Sequence, residues 1–428
     1  MFQRPARPGL ALPLALTGCL LAAQAFGAAP LGDPSGAALP PSVHLSYPTV
    51  YIALAPLFTL WDGVSMLSMS RLYGFLLGGA LLYLAWRLWR VVVRRMAWSR
   101  SRPRRAPIRG EVGRLLAALA ALAAFVGAGL LWHRPMAALA GAGPDAVVFD
   151  VHSHSAASHD VAGTAMRGFD AAANLRWHRR AGFDAVFLTD HNTMAGHLAR
   201  RGGVIQPDST PALCPGIEVS AWKAHIVLLG DTLAVDQRRY NGSLEQLVAL
   251  LRTSDSVYGA LSVLSLPEYE RNHRDRLDTL LAVGADGLEI VNASPKANEM
   301  SRARRDSVVA LARAANRFVV GASDSHGWGA TSMVWNLMTV PGWRDGSAPA
   351  ALGPTLCERL LDGLRRGFGA SQIVERHRLR PDSGWPVWLT PLGVVWETWR
   401  SMNWLLTAAW LVWGWLLWAV RHRRYTGA

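Results

Sequence analysis

Apolar residues in this chain fall into two kinds of run. The long kind spans Leu115 to Trp132 and Trp404 to Val420 without a charge, in each case enough helix to cross about 30 Å of hydrocarbon. Leu72 to Trp86 is shorter, but Leu88 and Val91 to Val93 extend it while Arg87 and Arg90 can snorkel, so a third span is expected over 72–93. The run from Val50 to Trp61 contains Pro56 and is closed by Asp62, too short to cross; it is expected to lie at the interface or against the helices. Gly9 to Ala29, with Arg4 and Arg7 in front and small residues behind, fits a signal peptide or signal anchor, and Leu16-Thr17-Gly18-Cys19 resembles a lipoprotein cleavage box.

The short kind recurs between about 145 and 385. Ala146 to Val151, Ala185 to Leu188, Ile226 to Leu229, Ala260 to Leu264, Leu288 to Val291 and Phe318 to Val320 read as strands. Between them Phe169 to Arg180, Leu244 to Leu251, Asp275 to Leu281, Glu299 to Ala315 and Glu358 to Arg366 have helical spacing. Strands alternating with helices over this length predict an α/β domain with a parallel sheet, most simply a barrel.

Charge then fixes the expected topology. The net charge of +14 is accounted for by Arg4 and Arg7, the Arg-rich stretch from Arg87 to Arg114, and Arg421, Arg423 and Arg424, so the long segment between His133 and Val420 is close to neutral. A nucleic-acid-binding domain is therefore not expected. Basic clusters stay in the cytoplasm, which predicts the following order. Residues 1–29 are the signal peptide or anchor, 30–71 an external segment, 72–93 a span, 94–114 a cytoplasmic Arg-rich loop and 115–132 a span. Residues 145–385 are a large external domain, 386–402 an amphipathic linker, 403–420 the last span and 421–428 a basic cytoplasmic tail. Cys19, Cys214 and Cys357 are the only cysteines, too few for a disulfide scaffold or a cysteine zinc module. Whether Cys214 and Cys357 pair is left open by the sequence.

Histidines and carboxylates gather where the predicted strands end. Asp150-Val151-His152-Ser153-His154 follows the first strand, and residues two apart on an extended segment share a face. Then come Ser158-His159-Asp160, Thr189-Asp190-His191, Gly216-Ile217-Glu218, His225, and Ser323-Asp324-Ser325-His326. In a β/α barrel the strand ends carry the chemistry. Mixed imidazole and carboxylate donors without cysteine suit zinc, manganese or iron as divalent ions.

This ordered set, Phe149 to His154, Ser158-His159-Asp160, Thr189 to Thr193, Pro215 to Glu218 and Ser323 to His326, resembles the polymerase and histidinol phosphatase (PHP) domain of metal-dependent phosphoesterases over about 145–335. The resemblance implies a distorted (β/α)7 TIM-like barrel, two or three divalent metal ions (Zn, Mn or Fe) and phosphate-ester hydrolysis. It would place His152, His154, Glu218 and Asp324 around one ion and His159, His191 and His326 around another, with Glu218 and His225 reaching toward a third; Asp160 is an alternative to His159. The chain departs from the family where a His-Pro pair is usual, reading Ser265-Leu266-Pro267. Leucine cannot ligate, so two ions, or a weak third, are expected.

Two ions would let a metal-bound hydroxide attack a phosphomonoester or phosphodiester, with His225, Asp160 or Asp190 as proton acceptors. Asp190 could instead orient His191. Lys223, Arg271 and Arg274 are candidate phosphate contacts or plain surface cations. Trp328 to Trp343, with Trp385 and Trp388, could line an organic pocket or rest at the membrane interface. The expected protein is a multi-pass enzyme of a bacterial inner membrane, its domain in the periplasm, acting on a phosphorylated small molecule or cell-envelope substrate. A membrane-tethered metal-binding sensor or assembly factor with little turnover is the competing expectation, on the strength of Leu266.

Overall fold

The computed structural model describes residues 9–96, 108–201, 211–230, 235–344 and 355–426. Most of the Arg-rich loop, Arg4 and Arg7 lie outside the described residues. Among the described residues there are twelve strands: β1 (Leu31–Gly32), β2 (His44–Ser46), β3 (Ala138–Ala140), β4 (Ala146–Asp150), β5 (Ala185–Leu188), β6 (Ala212–Ala221), β7 (Ala224–Leu229), β8 (Leu261–Leu264), β9 (Gly287–Asn292), β10 (Phe318–Ala322), β11 (Val334–Thr339) and β12 (Gln372–Arg376). Ten of them form one curled sheet in the order β1-β12-β11-β4-β5-β6-β7-β8-β9-β10, and β2 pairs separately with β3.

The sheet is mixed, which corrects the expectation of a parallel one. β4-β5-β6 and β8-β9-β10 run parallel, while β6-β7-β8 and β4-β11-β12-β1 are antiparallel. The cause at the centre is local. Trp222 and Lys223 form a two-residue turn, Lys223 taking φ +52°, so β7 folds straight back on β6. No helix intervenes there.

Side chains alternate across the strands as a half-buried pleat requires. Val147, Phe149, Phe187, Val227, Leu229, Val263, Phe318 and Val320 fill one core, while Ile226, Leu228, Leu264, Leu288 and Val319 pack with Leu247, Leu250, Leu280 and Val308 from the helices Leu244–Tyr258, Leu277–Val283 and Arg302–Ala314. The first and last of these helices start on side-chain caps, Ser243 accepting from the Gln246 N–H and Ser301 from the Arg304 N–H. The curl is drawn together at its free end by Asn336. Its Oδ1 accepts from the Gly321 N–H at 2.8 Å and its Nδ2 donates to the Gly321 carbonyl at 2.7 Å, an amide side chain bonding β11 to β10 where no backbone ladder forms. Gly321 permits this approach, since a Cβ there would lie 2.1 Å from Val334.

The segment 30–71 is built into the fold. β1 pairs with β12, and β2 with β3. The helix Ala55–Ser65 carries the short apolar run and is packed, with Phe58, Trp61 and Asp62 buried. Asp62 lies 2.5 Å from Arg134 and 2.7 Å from Arg376, and accepts from Tyr51 and Thr331, each at 2.7 Å. That network ties the helices to the sheet. Among the described residues three helical stretches are long and apolar enough to cross a membrane, Met69–Arg90, Val112–Gly129 and Trp404–Arg423; the helix Ala11–Ala25 is apolar but shorter. Cys214 and Cys357 form a disulfide joining β6 to the helix Leu356–Leu364. Among the tryptophans, Trp335 is core, its indole donating to Ala181, and Trp328 packs edge-on to Phe169.

Candidate metal centre

β4 ends at Asp150, whose carboxylate accepts from the Ser323 N–H (3.1 Å) and hydroxyl (2.5 Å) and faces His178 Nε2 at 2.9 Å. This fixes the end of β4 beside the end of β10. Beyond it the two segments continue to pair: the Asp324 N–H donates to the His152 carbonyl (2.9 Å) and the His154 N–H to Ser325 (3.0 Å). The segment is extended, so His152 and His154 point together while Ser153 points away, its hydroxyl accepting from Asn174 at 2.6 Å. Asp324 adopts φ +44°, a left-handed backbone uncommon outside glycine and frequent at functional sites. From the next strands, His191 bridges to Glu218 of β6, and His225 opens β7 directly opposite Ser220.

The donors converge. His152 Nε2 lies 3.0 Å from His154 Nε2 and 3.1 Å from Glu218 Oε2; His154 Nε2 lies 3.3 Å from that oxygen and 3.1 Å from Asp324 Oδ1. Glu218 Oε2 is 3.1 Å from His191 Nδ1, and Glu218 Oε1 is 3.0 Å from His225 Nδ1. Asp160 Oδ2 meets His191 Nε2 at 3.2 Å and His326 Nε2 at 2.7 Å. Three overlapping groups follow, each able to surround one ion: His152, His154 and Glu218; His154, His191 and His326; His191, Glu218 and His225. The first forms a buried floor, whereas the side chains of His225, Asp160 and His326 are about one-third exposed at the rim.

This donor set fits divalent ions. Glu218 Oε2, His191 Nδ1 and His154 Nδ1 are buried and make no hydrogen bond among the described residues. Buried polar atoms are almost always paired. Glu218 Oε2 and His191 Nδ1 lie 3.1 Å apart, and a cation between such buried unpaired atoms would satisfy both.

Electrostatics show the same need. Against complete burial, Glu218, Glu289 and Asp324 hold His152 well above the usual imidazole range, and His152, His225 and His191 hold Glu218 well below the carboxylate range. Burial prevails at His154, lowered to about 4 with His326 beside it. Despite burial, Asp324 and Asp160 raise His326 to about 9, and His191 and His326 hold Asp160 low. Cations are already required by these carboxylates, and protons on histidine supply them when no metal does.

Several expected residues are placed differently. Asp190 does not face the cluster: its carboxylate accepts from the Ser155 N–H (2.6 Å) and hydroxyl (2.8 Å), anchoring the loop after His154, and burial raises it to about 6. His159 is exposed, its ring 5.1 Å from His191, because the turn His159–Ala162 directs the next residue inward and Ser158 holds Asp160 at 2.8 Å. Lys223 lies over the Trp222 ring and Arg274 pairs with Glu270.

Two carboxylates escaped the sequence reading. Glu289 is fully buried in β9, with Oε1 2.6 Å from His152 Nδ1 and Oε2 accepting from the Leu266 N–H (2.9 Å) and Asn292 (2.8 Å). Its signal was a lone charge inside the apolar run Gly287-Leu288-Glu289-Ile290-Val291. Glu268, two residues after Leu266, has Oε2 3.8 Å from His225 Nδ1 and is pushed up by burial. The Leu266 side chain belongs to the core and offers the site only its N–H.

No protein-family model matches the chain, and no curated protein matches it. Among solved structures, it is similar to PsfC from Pseudomonas syringae (18% identity, TM-score 0.35, covering 59% of this chain and 97% of that one). It is also similar to a protein from Bifidobacterium adolescentis named as a candidate metal-dependent phosphoesterase (17%, TM-score 0.33, 42% and 88%). A third is an amidohydrolase from Chromobacterium violaceum with bound sulfate and no metal (16%, TM-score 0.29, 46% and 95%).

Proposed function

We propose that the chain is a membrane-anchored, metal-dependent hydrolase of phosphomonoesters or phosphodiesters, built on a distorted (β/α)7 barrel of the PHP type and acting outside the cytoplasm. The observation that carries this is the convergence of five histidines and Glu218 on overlapping three-donor groups, in the motif order that resembles the PHP domain. The external placement is supported by the Cys214–Cys357 disulfide. It is also supported by the helices: Met69 and Trp404 begin, and Leu131 ends, next to the catalytic domain, so Arg87, Arg90, Arg421 and Arg423 fall toward the far ends of their helices.

Divalent ions bound here would neutralise phosphoryl oxygens and acidify water. The chain's own residues do the rest. The floor of His152, His154 and Glu218, with Asp324, is held rigid by Glu289 and by the paired segments after β4 and β10. Asp160, held low, suits ligation at the rim. Glu268 stands outside the three donor groups but beside them, and burial raises its pKa toward that of a working proton carrier. It accepts the proton of the attacking water as the water oxygen joins phosphorus, and returns it to the leaving oxygen as the ester P–O bond breaks.

The test uses the full chain purified in detergent. Phosphomonoester, phosphodiester and amide substrates are offered with manganese, zinc or iron, beside His152→Ala. Turnover of a phosphoester that needs metal and falls at least about a hundredfold in the variant supports the reading. Bound metal with no turnover of any substrate overturns it in favour of a sensor, and cleavage of the amide alone reassigns the bond.

A further inference from the structure

The metal cluster opens on one side into a cavity of about 420 Å³. Asp324 and His326 line it together with Ser65 and Met66. The wall is mostly apolar, contributed by Met166, Ala293, Pro295, Ala330 and Met333. A cavity of this size accommodates an organic group of drug size. A phosphate alone would fill only the part at His326 and leave the apolar wall facing water.

The cavity lies where the chain enters its membrane-crossing helices. Met66 is three residues before the helix Met69–Met96, and the Met69 N–H donates to the carbonyl of Pro295 in the cavity wall at 3.0 Å. Arg134, three residues after the helix Ile108–Leu131, donates to the carbonyl of Gly329 (3.4 Å) and to Thr331 (3.4 Å), which also line the cavity. The cavity is thus shared by the candidate ligands Asp324 and His326 and by residues at the junction of two apolar helices with the sheet. No lysine or arginine lines it among the described residues, so Asp324 and His326 are the ionisable groups of its lining.

We propose that the substrate is a membrane-resident amphiphile, a phosphoester whose alcohol carries a long alkyl or prenyl chain. The phosphate lies at Asp324 and His326, and the chain runs along the Met66–Met166–Met333 wall toward the helices. This rests on the phosphoesterase reading for the bond broken but not for the binding of the chain. Burying each methylene of the chain yields up to about fourfold in affinity or kcat/KM.

The experiment uses the full chain in lipid nanodiscs, loaded with manganese. Hydrolysis of alkyl phosphates is followed from methyl to dodecyl. In parallel, a dodecyl phosphate carrying a photoreactive diazirine at its tail is crosslinked and the labelled residues are mapped by mass spectrometry. The expected result is a kcat/KM that rises at least about tenfold along the series, a smaller dodecyl-to-methyl ratio in Met166→Glu, and labelling of Met66, Met166 or Met333 that unlabelled dodecyl phosphate competes away. Rates that do not depend on chain length overturn the proposal. If no phosphoester is cleaved, the phosphoesterase reading has failed and the crosslink decides alone: competed labelling of the cavity upholds chain binding, and uncompeted labelling confined to the membrane-crossing helices overturns it.

Discussion

Glu289 Oε1 lies 2.6 Å from His152 Nδ1, across 137 residues of sequence. A proton on Nδ1 satisfies both groups, which leaves His152 Nε2 free to face Glu218, His154 and Asp324. One buried carboxylate therefore sets which ring nitrogen the centre can use. Its second oxygen is fully occupied by the Leu266 N–H and by Asn292. In Glu289→Gln the amide NH2 must face either the His152 donor or these two donors. Metal affinity, measured by titration against a chelator, is expected to fall about 10- to 100-fold while the fold persists. Unchanged affinity would remove Glu289 from this role.

Glu268 carries the proton in the proposed reaction. Glu268→Gln is expected to retain the metal content of the parent chain, lose about 10²- to 10⁴-fold in kcat, and flatten the acid limb of the pH–rate profile. Loss of an ion in the variant would show that Glu268 is a ligand beside His225 instead.

The metal-free chain responds to pH through His326. Its folded pKa, about 9, lies above its ordinary 6.5, so its contribution to stability is complete below about pH 6.5 and is lost as pH rises through 9. Asp190, raised by burial from 3.8 to about 6, loses its contribution in the same direction at lower pH. Metal binding runs the opposite way, because His326 must lose its proton to ligate. Thermal unfolding with and without chelator is expected to show the metal-free midpoint falling between pH 6.5 and 9 and the gap to the loaded protein widening. Parallel curves would contradict the pairing of His326 with Asp324 and Asp160.

Asp62 is buried between Arg134 and Arg376. Removing one member of a buried network strands the others, so Asp62→Ala is expected to cost about 3–5 kcal/mol, read as a drop in unfolding temperature. Replacing Asp62, Arg134 and Arg376 together by apolar residues is expected to cost less than the single change. A triple variant less stable than the single one would refute the attribution.

Sequence pattern located the strand ends and, through them, most of the centre. His152 and His154 were legible because alternation on an extended segment is fixed, and Ala185 to Leu188 is a strand with those bounds. What escaped depends on how side chains turn over short distances. His159 and Asp160 are adjacent, and a single helical turn decides which one points inward. Asp190 sits beside His191, yet the Ser155 N–H and hydroxyl claim both of its oxygens. β6 was hidden by Pro215 and Gly216 within it, and β11 and β12 by the long connections around them. The closure through Asn336 follows from a contact between β10 and β11 that no local pattern encodes.

Metal content of the full chain tests the account most directly, because His154 belongs to two of the three donor groups. Elemental analysis of the purified protein, before and after His154→Ala, is expected to find about two zinc, manganese or iron ions per chain and to lose more than one of them in the variant. A chain that binds no divalent ion at neutral pH, or a variant that binds as many as its parent, would contradict it.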